Sequence, residues 1–315
     1  MTTTEPIAPP TGAPVPDVGR LTPRQLRRAR RRRAFARSWR QYRENKMGML
    51  GLGLLIVFIA VGIFSAFGGA GPTSPTETLQ NPTLAPPSLE FPMGTDRNGV
   101  SVLNLVIAGA WTSLLVGLMA SLISMLLGTL VGMAAGYRGG LLDGSLMRVT
   151  DGFLVIPWLA LAIVLAAILG QSLWIIILII GITSWPGTAR LVRAQVLSVK
   201  ERTYVERSKA LGGGNWHVVT RHVLPNVMPV IFANTILTVA IAILSESGLS
   251  FLGLGDPLHI TWGTVIDQAF GTGAITLGAW WWLLFPSGCI VIVVLAFTMC
   301  GFAFDEIVNP RIRER

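Results

Sequence analysis

The sequence predicts an all-α, polytopic membrane protein with six transmembrane helices and both termini in the cytoplasm. Three observations carry this. Of 315 residues, 51% are hydrophobic and only 13% are charged, against roughly 25% charged in an ordinary soluble domain. Asp, Glu, Lys and Arg are absent from five long runs, between Lys46 and Glu77, Arg97 and Arg138, Asp151 and Arg190, Arg221 and Glu246, and Asp267 and Asp305. With six spans and a cytoplasmic N-terminus, 24 of the 25 Lys and Arg lie inside and only Arg97 lies outside, which is the asymmetry that basic inner loops produce. That placement accounts for the net charge of +9 without nucleic-acid binding. The two cysteines, Cys289 and Cys300, share one apolar run, so a disulfide scaffold is excluded.

A spanning helix needs ~20 mainly apolar residues. Residues 1–23 hold six of the 19 prolines and read as a disordered cytoplasmic tail. Residues 24–47 are Arg-rich, with Phe35, Trp39 and Tyr42 at helical spacing. They read as a basic amphipathic elbow on the lipid of the inner leaflet, or as a simple topogenic charge cluster. A six-helix membrane domain is expected over 48–304. Its first span is 48–68, an uncleaved anchor, because Phe64-Ser65-Ala66-Phe67 offers no clear cleavage site. An external segment, 70–102, follows. The second span, 103–137, is longer than a bilayer requires, which predicts tilt or an end outside the lipid. Gly128, Gly132 and Gly136 recur along it every four residues, a stripe expected to face another helix. The next charge-free run breaks at Gly170-Gln171-Ser172, giving spans at 145–169 and 173–193, with Pro157 and Pro186 as candidate kinks. The fifth span is 226–247, followed by the external segment 248–280. The sixth, 281–304, begins at an interfacial belt of Trp280, Trp281 and Trp282. Residues 305–315 are a cytoplasmic C-terminus.

The cytoplasmic loop 194–225, between the fourth and fifth spans, is too polar to cross and too long for a tight turn. Thr203-Tyr204-Val205-Glu206 has capping-box spacing, so Thr203 is the expected cap and Glu206 its reciprocal partner. The helix is expected to run through Leu211 and stop at Gly212-Gly213-Gly214. Asn215 then caps a second short helix, Trp216 to His222, and Leu224-Pro225 opens the fifth span. Such an element either packs only on its own chain or docks in a groove of a soluble partner.

Ionisable groups near the bilayer are candidates for function. Asp151 is expected to pair with Arg148 one turn earlier. Glu246, among Ser245, Ser247 and Ser250, is a candidate for an external gate or for contact with an external protein, against a purely structural hydrogen-bonding role. Asp256 carries the same candidacy, although solvation is the simpler expectation for it and for Asp267. His217 and His222 lack acidic or cysteine partners, so no metal site is expected. No catalytic residue is expected either.

The stretch "YVERSKALGGGNWHVVTRHVLPN" resembles the EAA loop of permease subunits in binding-protein-dependent ABC importers, whose pattern is E-A-A-x3-G-x9-I-x-L-P. Glu206, Gly212, Leu224 and Pro225 match in register. Arg207 and Ser208 replace the two alanines, and His222 stands at the Ile position, as is usual in the dipeptide, oligopeptide and nickel branch. "ENKMGMLGLGLLIVF", "FPMGTDRNGVSVLNLVIAGAWTSLLVGL", "RVTDGFLVIPWLALAIVLA", "SESGLSFLGLG" and "DEIVNPRIR" are similar to that branch's C-type permease, so the resemblance covers about 44–313. It implies a non-catalytic subunit that pairs with a B-type permease, two cytoplasmic ATPase domains and an external substrate-binding protein. ATP and Mg would sit on the ATPases, and this chain indeed lacks G-x-x-x-x-G-K-[ST]. The resemblance carries over Glu206, Ser208, Ala210, Leu211, Gly212, Leu224 and Pro225 as ATPase-coupling residues. Glu206 has two readings, capping its own helix or pairing with a basic group on the ATPase. The implied cargo is a di- or oligopeptide, with glutathione, an oligosaccharide or nickel as alternatives. A stand-alone secondary carrier or channel, or a membrane scaffold, is the competing class, although span interiors almost free of charge and the lack of an internal repeat count against a carrier.

Overall fold

The computed structural model describes residues 36, 39–69 and 80–308. The expected tail 1–23, most of the elbow 24–47, part of the external segment 70–102 and the end of the C-terminal segment 305–315 lie outside the described residues. The chain divides into two compact units, Met1–Glu44 and Asn45–Arg315. In the first, residues 39–44 are helical, and the rings of Trp39 and Tyr42 stack with centroids 5.9 Å apart.

The second unit is helical. α1 (Lys46–Phe64) begins at Asn45, whose side chain caps Gly48 N–H and also donates to Glu306 at 2.8 Å. α2 (Val102–Arg138) is the long second span. α3 (Gly140–Val155) and α4 (Trp158–Leu169) follow, then α5 (Leu173–Lys200) and the short α6 (Thr203–Ala210). A helical run of 40 residues, α7 (Asn215–Leu254), leads through a loop to α8 (Trp262–Gly271) and to α9 (Trp281–Val308). Five of these are long and apolar enough to cross a membrane, and the α3–α4 pair makes a sixth if it counts as one span.

Within the expected span 145–169 the candidate kink at Pro157 is a full break, because α3 and α4 meet at 88°. The cause is local. Pro157 disfavours helical geometry in the residue before it, and Ile156 is extended at φ −72°, ψ 126°. Pro186, by contrast, sits inside an uninterrupted α5. The break at Gly170-Gln171-Ser172 falls where expected, with Gly170 at φ +97°.

The glycine stripe of α2 packs on α5. A Cβ on Gly128 would lie 2.6 Å from Thr188, on Gly132 2.5 Å from the Ala189 carbonyl, and on Gly136 2.9 Å from Val196. Only glycine permits backbones that close. The interior face of α5 supplies Ile176, Ile177, Ile179 and Ile180 to a core completed by Val116, Ala120, Ala162 and Ala166. Near the other end of the long helices, Trp262 is fully buried; its backbone N–H donates to Ser113 and its indole N–H to the Val106 carbonyl at 2.8 Å.

Candidate functional site

The segment between α5 and α7 departs from expectation at both helix starts. Arg202, not Thr203, is the N-cap of α6, and no side chain caps it. The proposed Thr203–Glu206 capping box is therefore absent, because Thr203 already has helical geometry as the first helical residue. Glu206 is exposed and its carboxylate makes no hydrogen bond or ion pair among the described residues. Asn215 is likewise inside its helix, with Gly214 as cap, and its side chain accepts from the Tyr137 hydroxyl at 3.1 Å.

The C-terminal end of α6 forms as the glycines predict. Leu211 is the C-cap, and Gly212 takes φ +85°. Gly212 N–H donates to the Lys209 carbonyl and Gly213 N–H to the Ser208 carbonyl, both at 2.9 Å. These two bonds are those of a Schellman turn, which satisfies the last carbonyls of the helix. A Cβ at Gly212 would meet nothing within 4 Å, whereas one at Gly213 would lie 2.6 Å from the Ser208 carbonyl. Gly213 is thus fixed by its own chain, and Gly212 by its dihedral angle alone.

The second helix does not stop at His222. It runs on as the rest of α7 through a π-turn at Val219–Val223, with Leu224 N–H bonded to the Val219 carbonyl. Pro225 is the reason: proline removes a donor and clashes with the carbonyl four residues back, and one wider turn accommodates it. Leu224 is half-buried and Pro225 exposed. Beneath the segment lie Val199, Val205, Val218, Val223 and Val227, all buried. Above it, Leu211 and Trp216 are 83% and 81% exposed, with Tyr204 at 40%. Ala210 is exposed and Ser208 half-buried beside them. The segment is therefore seated on its own chain through one face and presents apolar side chains, a free carboxylate and a glycine turn on the other.

At the opposite end, Glu246 is only 1% exposed. Its Oε1 accepts from the hydroxyls of Ser250 and Thr261, both at 2.7 Å, and its Oε2 from Ser247 at 3.5 Å. Thr261 also caps α8 through a capping box with Thr264, so Glu246 ties α7 to the first turn of α8. Asp256, expected to be solvated, is 6% exposed instead. Its Oδ2 accepts from Leu173 N–H at 2.9 Å, the first residue of α5, and contacts His259 Nδ1 at 2.8 Å; its Oδ1 accepts from Leu258 N–H. Burial pushes its pKa up, but the backbone donors of Leu258 and Leu173 and the His259 ring outweigh that and hold it below the ordinary 3.8. Neither carboxylate is on the surface.

Asp151 pairs with Arg190 of α5 rather than with Arg148. Arg193 grips Asp143 with both Nε and a terminal nitrogen, at 2.6 and 2.7 Å. Sequence reasoning missed this second pair, and it missed α8, since both depend on partners far along the chain or on a Thr-x-x-Thr cap that lacks the usual acid. The rings of His217 and His222 lie 5.7 Å apart, with Tyr204 beside His222.

Residues 128–314 match the family described as the binding-protein-dependent transport system inner membrane component, and residues 34–87 match the N-terminal TM domain of oligopeptide transport permease C. The chain is 36% identical over 277 residues to the dipeptide transport system permease protein DppC of Bacillus subtilis, covering 88% of this chain and 85% of that one. It is 34% identical over 275 residues to the oligopeptide transport system permease protein OppC of the same organism, with 87% and 88% covered. A putative peptide transport system permease protein of Brucella suis is 34% identical over 312 residues, 98% of each chain. Among solved structures, the inward-facing MetNI methionine ABC transporter is similar in fold at a TM-score of 0.52 and 20% identity, over 65% of this chain and 95% of that one.

Proposed function

We propose a coupling mechanism from one premise: this chain belongs to the inner membrane components of binding-protein-dependent transport systems, in the branch of oligopeptide permease C. It is a non-catalytic, multi-pass permease subunit of an ABC importer. Its cargo is a di- or oligopeptide handed over by an external binding protein, a reading supported by the names of its relatives. It pairs with a second permease of B type, and two cytoplasmic ATPase domains carry the ATP and Mg. The N- and C-termini are cytoplasmic, as is the α6 segment.

One observation carries the mechanism: α6 and its glycine turn are packed below and bare above. Leu211, Trp216 and Tyr204 supply apolar area for a groove in an ATPase domain, and exposed aromatic residues of this kind are frequent anchors of interfaces. Glu206, without an internal partner, supplies a carboxylate for a basic group there. Ser208 and Ala210 lie along the same short helix, and beyond the glycine turn Leu224 and Pro225 lie within α7, which runs from Asn215 into the membrane-length helix, so movement of the segment reaches the membrane through α7. ATP-driven closure then shifts the equilibrium between two states of the spans, because the partner binds them differently.

Substitution at Gly212 tests this. Gly212→Ala adds the strain of a left-handed residue, about 1 kcal/mol. Gly212→Asn largely relieves that strain, since asparagine tolerates the conformation, yet still fills the open space. Both variants are expected to assemble and to lose most peptide-stimulated ATP hydrolysis and uptake in reconstituted vesicles. Full activity in Gly212→Asn would show that the turn matters only for local geometry and would remove the docking role.

A further inference from the structure

A cleft lined by Arg97, Asn98, Asp267, Gln268, Thr272 and Trp282 lies where the loop before α2, the helix α8 and the start of α9 meet. It holds both signs of charge without their being joined. Arg97 and Asp267 make no ion pair or hydrogen bond among the described residues. The neighbouring Asp96 is buried and already accepts the backbone N–H groups of Asn98 and Val100. Trp282 is 1% exposed, and its indole Nε1 is buried with no hydrogen-bond partner among the described residues. A buried N–H left without an acceptor is costly, so an acceptor supplied from outside would be favoured here. Trp282 is the second residue of α9 and stands in the Trp280–Trp282 belt, at the level where a span meets water.

We infer that this cleft binds a zwitterion, with an oxyanion held by Arg97 and the Trp282 indole N–H and an ammonium held by Asp267. Two sources offer that chemistry: the phosphoethanolamine headgroup of a membrane lipid, and the joined α-ammonium and carboxylate of a short free peptide. The level of the cleft follows from α9 being a span; the charge arrangement does not depend on transport.

The test is binding to the full chain, purified in mild detergent with the subunits that accompany it. The probes are phosphatidylethanolamine, phosphatidylglycerol and alanyl-alanine, followed by native mass spectrometry and by thermal shift. Wild type is expected to retain phosphatidylethanolamine or alanyl-alanine at least tenfold better than phosphatidylglycerol. Which of the two is retained identifies the source. Arg97→Ala is expected to weaken binding about tenfold, the size of a lost charge-assisted hydrogen bond. Trp282→Phe keeps the ring but loses the donor and is expected to weaken it severalfold, and Asp267→Asn is expected to abolish the preference over phosphatidylglycerol. Equal retention of all three probes, or variants that bind as wild type while unfolding at the wild-type temperature, overturns the inference. Since binding is read without ATP or transport, that failure is distinct from failure of the coupling role of Gly212.

Discussion

Glu246 shows how a single carboxylate can be held inside a helical membrane domain without a cation. Three hydroxyls surround it, two of them at 2.7 Å on the same oxygen. Burying such a group is tolerable only when its acceptor sites are filled. Glu246→Ala would leave the Ser250 and Thr261 hydroxyls without their acceptor and open a cavity, for an expected loss of about 2–5 kcal/mol. Glu246→Gln retains an amide oxygen for both donors and is expected to cost under half as much. Thermal unfolding of the two variants in detergent checks the order, and equal losses would show that the carboxylate's charge rather than its geometry is needed. Glu206 is the opposite case. With no contact to lose, Glu206→Gln is expected to leave stability within about 0.5 kcal/mol while lowering ATP-coupled uptake severalfold; unchanged uptake in vesicles would remove the proposed ion pair with the ATPase.

Among the elements, the start of α5 depends on a residue more than eighty positions away. Asp256 places a carboxylate at the positive end of that helix, where anions are favoured, and so staples the loop after α7 to it. Its folded pKa is held below 3.8. A depressed carboxylate contributes stability that is fully present above the unfolded value and is lost as pH falls through the folded one. The stability contribution of Asp256 relative to Asp256→Asn is therefore expected to be lost only as the pH falls below about 3.8. A difference that already vanished at pH 5 would contradict the staple. Local signals announced part of this architecture. The uncharged runs located the long helices, the glycines every four residues marked the α2 face that meets α5, and Gly212 ended α6 where expected. What could not be read locally was set by tertiary contact. Arg202 rather than Thr203 caps α6, Asp151 reaches Arg190 instead of Arg148, and Asp256 is withdrawn from solvent because a helix end happens to stand beside it.

For the whole molecule, the path of α3 and α4 through the bilayer decides on which side every later segment lies. α4 has 12 residues, about 18 Å of helix, too short alone for a core of about 30 Å. Contacts along α5 nevertheless progress in one direction. Asp151 meets Arg190, Phe153 meets Trp185, Trp158 donates to Thr183, and the chain leaves α4 at Gly170 beside Leu173. From Arg190 to Leu173 is about 26 Å along the helix axis at 1.5 Å per residue. The bent pair therefore runs alongside α5 from Arg190 to its first residue, and since α5 is itself long enough to span, the pair is expected to cross as a broken sixth span. Charge agrees. Crossing keeps 24 of the 25 basic residues on one side, whereas a turn back would move the loop after α5 and the C-terminus outward and leave the split near 14 to 11, far from the bias that inner loops carry. Single cysteines at Leu141, which is 93% exposed, and at Gln171, introduced after Cys289 and Cys300 are replaced by serine, are expected to react with an impermeant maleimide from opposite faces of the membrane. Position 171 is expected to label in intact cells and position 141 only in inverted vesicles. Labelling of both from one face would make the pair re-entrant, place the α6 segment on the same side as the binding protein, and remove the coupling role proposed for it.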